Sequence, residues 1–200
     1  HVQQGMAADN RIGLSYLSPG AGFGGENFSH DILTLANTVS GTGVKSQLLA
    51  QVWDINEQQK ELLFRKLWNY FHGDLKAKTV AIWRASFKEN TSCTQQSPIN
   101  MMLIALWAQG VKVQLHDPQA LVEIEALYGL RDDLILGHDQ DQAVQDAHAL
   151  CLLTAWKQYW SPDYTRLHQT MLHPLILDGR NIYDPEYMKL QGFVYMGIGR

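Results

Sequence analysis

The stretch SPINMMLIALWAQGVKVQLHD, from Ser97 to Asp117, decides how the chain folds. Ser97 offers a side-chain oxygen to the free N–H groups at a helix start, Pro98 has the fixed φ that suits a first helical position, and Gly110 stands where a helix ends. VKVQLHD then follows as a β-rich run. Upstream, KTVAIW (78–83) is another short β run, joined to Ser97 by a polar loop. Downstream the order continues with a helix from Pro118 to Tyr128, the apolar run LILG, a helix around Asp141 to Asp146 and the buried-looking strand ALCLLT. Helices from Trp156 and Asp163 lead into PLILDGR, and GFVYMGIG closes the chain. Short, nearly continuous apolar strands alternating with helices predict a parallel sheet covered on both faces. Residues 76–200 are therefore expected to form one α/β domain.

The first part of the chain reads differently. From Lys45 to Phe71 the residues Leu48, Leu49, Val52, Trp53, Leu62, Leu63, Leu67, Trp68 and Phe71 recur at spacings of three and four, which predicts one long amphipathic helix. Glu57, Gln58, Lys60, Glu61 and Lys66 fall on its polar face. Gly73 stops the helix, and a boundary is placed there, so that 1–73 is a mainly helical piece. The opening HVQQGMAADNRIG lacks an initiator Met and reads as a helix end running into a turn at Asp9-Asn10, as expected of a fragment.

Composition excludes several classes of partner. At 200 residues and 46% apolar the chain can bury a full core, while a net charge of −4 and the lack of any Lys/Arg run argue against nucleic acid and anionic membranes. The longest apolar stretch, INMMLIALWA, is about half of what a membrane-spanning helix needs. Cys93 and Cys151 are too few and too far apart for a disulfide framework or a zinc site, and two unpaired thiols fit the cytoplasm. His138, Asp139 and Asp141 read as a solvated turn without a second ligand cluster, so no metal is expected.

In a parallel sheet, ligands bind beyond the carboxyl ends of the strands. The loops SFKENTSCTQQSP, LTAWKQYWSPD and LDGRNIYDP bring Lys88, Trp156, Lys157, Asp178 and Arg180 to that edge, and basic side chains beside helix N-termini suit a phosphate. AGFGGENFSHD (21–31) adds Gly22, Gly24 and Gly25 around Phe23, which permit close backbone approach to a ligand. A G-x-G-x-x-G turn does not follow the first strand, where WRASFK places Trp83 and Arg84 instead, so this domain is not expected to bind NAD.

Taken in order, DNRIG, GFGGENF, AIWRASFKENT, GVKVQLHDP, AHALCLLTAWKQY and DGRNIYDP resemble the carboxyl-terminal half of the UDP-glucose/GDP-mannose dehydrogenase family, over essentially the whole chain. The resemblance implies a Rossmann-like nucleotide-sugar-binding domain over 76–200, preceded by the tail of a central helical region that forms a homodimer through the 45–71 helix. It implies a UDP-sugar ligand, a polysaccharide-precursor pathway, and NAD held by an amino-terminal domain outside this chain. Arg11 then matches an arginine reaching the nucleotide sugar across the dimer. Phe23, Gly24 and Gly25 match the loop packed against the sugar, Phe87 and Lys88 the phosphate and ribose side, and Arg180 a basic residue of the same pocket.

The nucleophile does not carry over. The family pattern G-F-G-G-S-C-F-x-K-D has a cysteine where this chain has Asn27 and a lysine where it has His30; only Asp31 is kept. In the family's chemistry an alcohol becomes an acid through an aldehyde held as a thiohemiacetal, and an amide nitrogen cannot replace a thiolate there. TSCTQQSP also departs from the family's T-D-D-x-R-E-S-P, and Arg84 replaces a glycine. Three readings follow: the sugar-binding half of a nucleotide-sugar 6-dehydrogenase impaired at Asn27, a non-catalytic nucleotide-sugar-binding or regulatory dimer, and a dimerisation module without a ligand.

Overall fold

The computed structural model describes residues 2–14, 17–44 and 46–200; the expected helix start at Lys45 lies outside them. Six strands form one sheet: β1 (Thr79–Trp83), β2 (Lys112–His116), β3 (Leu134–Gly137), β4 (Ala149–Leu152), β5 (Leu175–Asp178) and β6 (Val194–Gly197). Their spatial order is β3-β2-β1-β4-β5-β6, every neighbouring pair is parallel, and the sequence reverses direction at β1, where β2 lies on one side and β4 on the other.

Both faces of the sheet are covered, which explains the unbroken apolar strands. Val80 and Ile82 of β1 join one core with Cys151, Leu175 and Leu177, while Ala81 and Trp83 join the other with Leu150, Leu152 and Ile176. This is the period-two alternation of a strand with apolar layers on either side. Helix α5 (Pro98–Ala108) covers the first face through Ile99, Met102, Leu103 and Leu106. Its start forms as the sequence predicts: Pro98 occupies the first turn and Ser97 Oγ accepts the N–H of Ile99. Tyr159, Tyr183 and Met188 fill the second face.

The helical piece departs from the sequence reading in three ways. An unassigned helix, α2 (Glu26–Gly41), follows the short α1 (Val2–Ala7) and the glycine loop. The single helix expected over 45–71 is two, α3 (Gln47–Lys60) and α4 (Leu62–Tyr70), broken at Glu61. At the break the Arg65 guanidinium donates to the Gln58 carbonyl at 2.9 Å, supplying a partner the helix ladder has lost. The two halves have different tasks, since Leu63 and Leu67 of α4 are buried in the sheet's first core while α3 supports the glycine loop. Lys60, read as part of a solvated face, is 3% exposed.

Two smaller corrections concern the sheet domain. The helix expected around Asp141 to Asp146 is a 3-10 turn, Gln142–Val144, and the one expected from Trp156 is another, Lys157–Tyr159. The helix expected from Pro118 is α6 (Leu121–Tyr128), entered through a turn in which Asp117 Oδ1 accepts the N–H groups of Gln119 and Ala120. Helices α7 (Tyr164–Thr170) and α8 (Pro185–Leu190) begin at Asp163 and Asp184, whose side chains accept N–H groups of the first turn.

Candidate functional site

A cleft of about 790 Å³ opens between the glycine loop and the carboxyl ends of β1, β4 and β5. It is the place that the switch in strand order marks for a ligand in a sheet of this kind.

One wall is the loop Gly20–Gly25, which α3 holds by side chains that reach its backbone. Asn56 uses both ends of its amide on one residue: Oδ1 accepts the Phe23 N–H at 2.7 Å and Nδ2 donates to the Phe23 carbonyl at 3.2 Å. Gln59 Nε2 donates to the Gly20 carbonyl at 3.0 Å. Lys60 Nζ bonds Glu57 at 2.7 Å and Gln96 at 3.3 Å beneath the same loop. Close approach requires the glycines. A Cβ on Gly24 would lie 2.6 Å from the Gln96 carbonyl oxygen, and one on Gly25, at φ +89°, would lie 2.6 Å from the Phe87 ring. The Gly25 N–H also donates to the Gln95 carbonyl at 2.9 Å, so the loop is fastened to the segment leaving β1.

That segment forms the second wall. Asp117, buried at the end of β2, accepts the N–H groups of Ala85 and Ser86 through Oδ2 at 2.9 and 3.1 Å. The Ser86 carbonyl receives Thr154 Oγ1 at 2.6 Å, tying the β1 exit to the β4 exit. Phe87 and Lys88 follow directly into the cleft. Across from them the 3-10 turn after β4 presents Trp160, 51% exposed, while its neighbour Tyr159 is fully buried against Trp83.

Arg180 enters from the β5 exit. Asp178 shapes this loop by accepting the N–H of Arg180 at 2.8 Å, those of Ile182 and Tyr183 at 2.8 and 3.1 Å, and the Tyr195 hydroxyl at 2.9 Å. Burial pulls the Arg180 guanidinium below its ordinary range, with Asp178 and Glu89 opposing. Its Nε is buried without a hydrogen-bond partner among the described residues, leaving a donor at the cleft wall.

Of the residues singled out from sequence, Phe23, Gly24, Phe87, Lys88 and Arg180 line this cleft, and Gly25 packs behind it on Phe87. Arg11, Asn27 and Asp31 do not line it. Arg11 is 89% exposed and paired with Asp9 at 2.6 Å. Asn27 is exposed in the first turn of α2, and Asp31, one turn further, is exposed beside His30. Sequence reasoning missed Asn56, Gln59, Thr154 and Trp160. Asn56, Gln59 and Lys60 share one helix face at spacings of three and four, a legible signal, but the sequence reading names only Lys60 among them, as part of the polar face. The His138–Asp141 segment is a turn closed on Asp139, whose Oδ1 accepts the N–H groups of Asp141 and Gln142 at 2.7 and 3.3 Å.

Residues 81–185 match the UDP-binding domain model of the UDP-glucose/GDP-mannose dehydrogenase family, and residues 1–58 match its central-domain model. The chain belongs to this family. It is 40% identical, over its whole length, to the UDP-glucose 6-dehydrogenase of Pseudomonas aeruginosa, of which it covers 45%, and 32% identical to that of Rhizobium meliloti, again covering 45%. The solved UDP-glucose dehydrogenase of Pyrobaculum islandicum superposes with a TM-score of 0.83 at 26% identity, over 98% of this chain and 42% of that one. The chain thus spans about half the length of the relatives it matches.

This dehydrogenase family is NAD-dependent, but the sheet domain present here does not fit a dinucleotide. The N-terminus of α5, where a pyrophosphate would rest, has Ser97 as its cap and the Gly24 backbone packed on Gln96 beside it. The β1 exit carries the buried Arg84 instead of a glycine turn.

The hold of α3 on the glycine loop is measurable. Replacing Asn56 by Ala leaves the Phe23 N–H and carbonyl without their partner, and should cost about 1–3 kcal/mol in urea unfolding. Hydrogen exchange should accelerate at residues 20–25. An unchanged unfolding midpoint together with unchanged exchange would show that the loop is held by other contacts.

Proposed function

We propose that this chain is the nucleotide-sugar-binding portion of a UDP-glucose-type 6-dehydrogenase, taking a UDP-sugar for polysaccharide precursor synthesis. The observation that carries the reading is the meeting of Lys88 and Arg180 with glycine backbone in one cleft. Two cations on separate loops suit a diphosphate, with charge-assisted bonds to its oxygens. Phe87 lies on the same side as Lys88, and Phe23 and Gly24 border the sugar, with Gly25 packed behind them on Phe87. NAD is bound by a part of the protein outside this chain.

Calorimetry tests the ligand. UDP should bind, NAD should bind far more weakly, and Lys88→Ala or Arg180→Ala should each cost roughly 1.5–3 kcal/mol of UDP affinity. Unchanged affinity in both variants removes them from the site.

Homodimerisation through α3, with α2 alongside it, completes the proposal. Phe28, Leu33, Leu35 and Leu48 are exposed on these two helices, an apolar surface of the kind a second copy covers. Arg11, held out in solvent, is then free to reach a partner's cleft. Light scattering at micromolar concentration should give the mass of a dimer; a persistent monomer at low salt would refute both the dimer and this role for Arg11.

Asn27 favours a second reading, a nucleotide-sugar-binding or regulatory protein that has lost the oxidation. The aldehyde stage needs a covalent adduct, and an amide offers at most a hydrogen bond to an aldehyde or its hydrate. The full-length protein, supplied with NAD and candidate UDP-sugars, should form no uronate. Sustained release of two NADH per uronate would overturn impairment at Asn27, and turnover appearing only in Asn27→Cys would place the defect at that one side chain.

A further inference from the structure

Arg84 violates several local preferences together. It directly follows β1 at φ +84°, where a Cβ is costly, and its side chain is wholly buried. Its Nε and Nη1 make no hydrogen bond among the described residues, although Nε lies 3.5 Å from the Asp117 carboxylate. Burial pulls its pKa down to about 10, with Asp117 opposing, so the guanidinium is still a cation at neutral pH. Strain and unmet donors of this kind persist only where surrounding structure fixes them, and they cluster at functional sites.

A counter-ion for Asp117 would not need this arrangement. That carboxylate already accepts four backbone N–H groups, from Ala85, Ser86, Gln119 and Ala120. The groups that depend on Arg84 lie on the other side. Its Nη2 donates to Ser86 Oγ at 2.5 Å, and Ser86 Oγ donates onward to the Lys88 carbonyl at 3.1 Å. Its guanidinium carbon lies 3.5 Å over the ring centroid of Trp156, the residue that opens the turn carrying Trp160. Arg84 therefore grips the β1 exit through a hydrogen bond and the β4 exit through a cation placed over an aromatic ring, and these exits are two walls of the cleft.

We propose that Arg84 is a positioning residue for the nucleotide site: by clasping Ser86 to Trp156 it fixes the backbone of Lys88 against the β4 exit and thereby sets the affinity for the diphosphate. The inference rests on the reading of the cleft as a UDP-sugar site. Arg84 touches no ligand and acts through Lys88.

The test is a double-mutant cycle on the full-length protein, with UDP affinity read by calorimetry and folding checked by circular dichroism and thermal unfolding. Arg84→Met keeps an unbranched chain against Trp156 without the N–H groups, and Arg84→Gly relieves the left-handed strain while removing the clasp. Each should bind UDP roughly tenfold more weakly in a folded protein, and Arg84→Met should add little to the loss in Lys88→Ala, as expected of coupled residues. Unchanged UDP affinity in both Arg84 variants, a loss fully additive with Lys88→Ala, or failure of both variants to fold would overturn the inference. An unchanged affinity in Lys88→Ala itself would remove the cleft reading first, and this inference with it.

Discussion

The buried carboxylate of Asp117 is the constraint on which the arrangement of the cleft depends. Standing at the end of β2, it accepts N–H groups from the exits of two different strands, two from β1 and two from its own. Parallel strands buried on both faces leave their exit loops as the only places where polar backbone can be shaped without disturbing a core. Asp178 does the same at β5, where it orders Arg180, Ile182 and Tyr183. The two carboxylates turn loops that sequence alone leaves open-ended into fixed walls, and Lys88 and Arg180 inherit their directions from them.

How much of this was legible in the sequence follows from what each signal measures. The central strands could be read because both sides of the sheet are covered there, so that ALCL is apolar at every position and LILD at all but its last. The start of α5 could be read because Ser97 and Pro98 act locally. Helix α2 could not, since it buries only Ser29 and begins at Gly25 without a side-chain cap; neither periodic burial nor capping marks it. The opposite error joined α3 to α4. Apolar spacing continues through Glu61, whereas the break depends on Arg65 reaching back to Gln58 and on each half packing against a different partner.

The candidate site divides along the same line. Lys88 and Arg180, on strand exits, could be placed from strand order, Phe87 only through the family resemblance, and the glycines of the loop mark close approach wherever they occur. Asn56, Gln59 and Lys60 belong to the site through tertiary contact: Asn56 and Gln59 hold the glycine loop and Lys60 bonds Gln96, each partner more than thirty positions away in the chain. Arg84 was visible only as a departure from a glycine pattern. Its grip on Ser86 and Trp156 exists only once β1 and β4 lie side by side.

On the proposed reading, binding and chemistry belong to separate elements, which bears on how a chain can keep one without the other. The cleft is built by α3 and by the exits of β1, β4 and β5, whereas Asn27 sits in the first turn of α2, the sixteen-residue helix that leaves the glycine loop. That turn has Gly25 as its cap and no side chain bonded to its free N–H groups, an electropositive setting that would lower the pKa of a thiol placed there. An amide at the same position has no charge for that field to stabilise. On the proposed reading, the field around position 27 is retained and the group it would activate is absent. None of the contacts that hold Phe23, Lys88 or Arg180 passes through the Asn27 side chain, so on the proposed reading a change at that position leaves the cleft's framework intact.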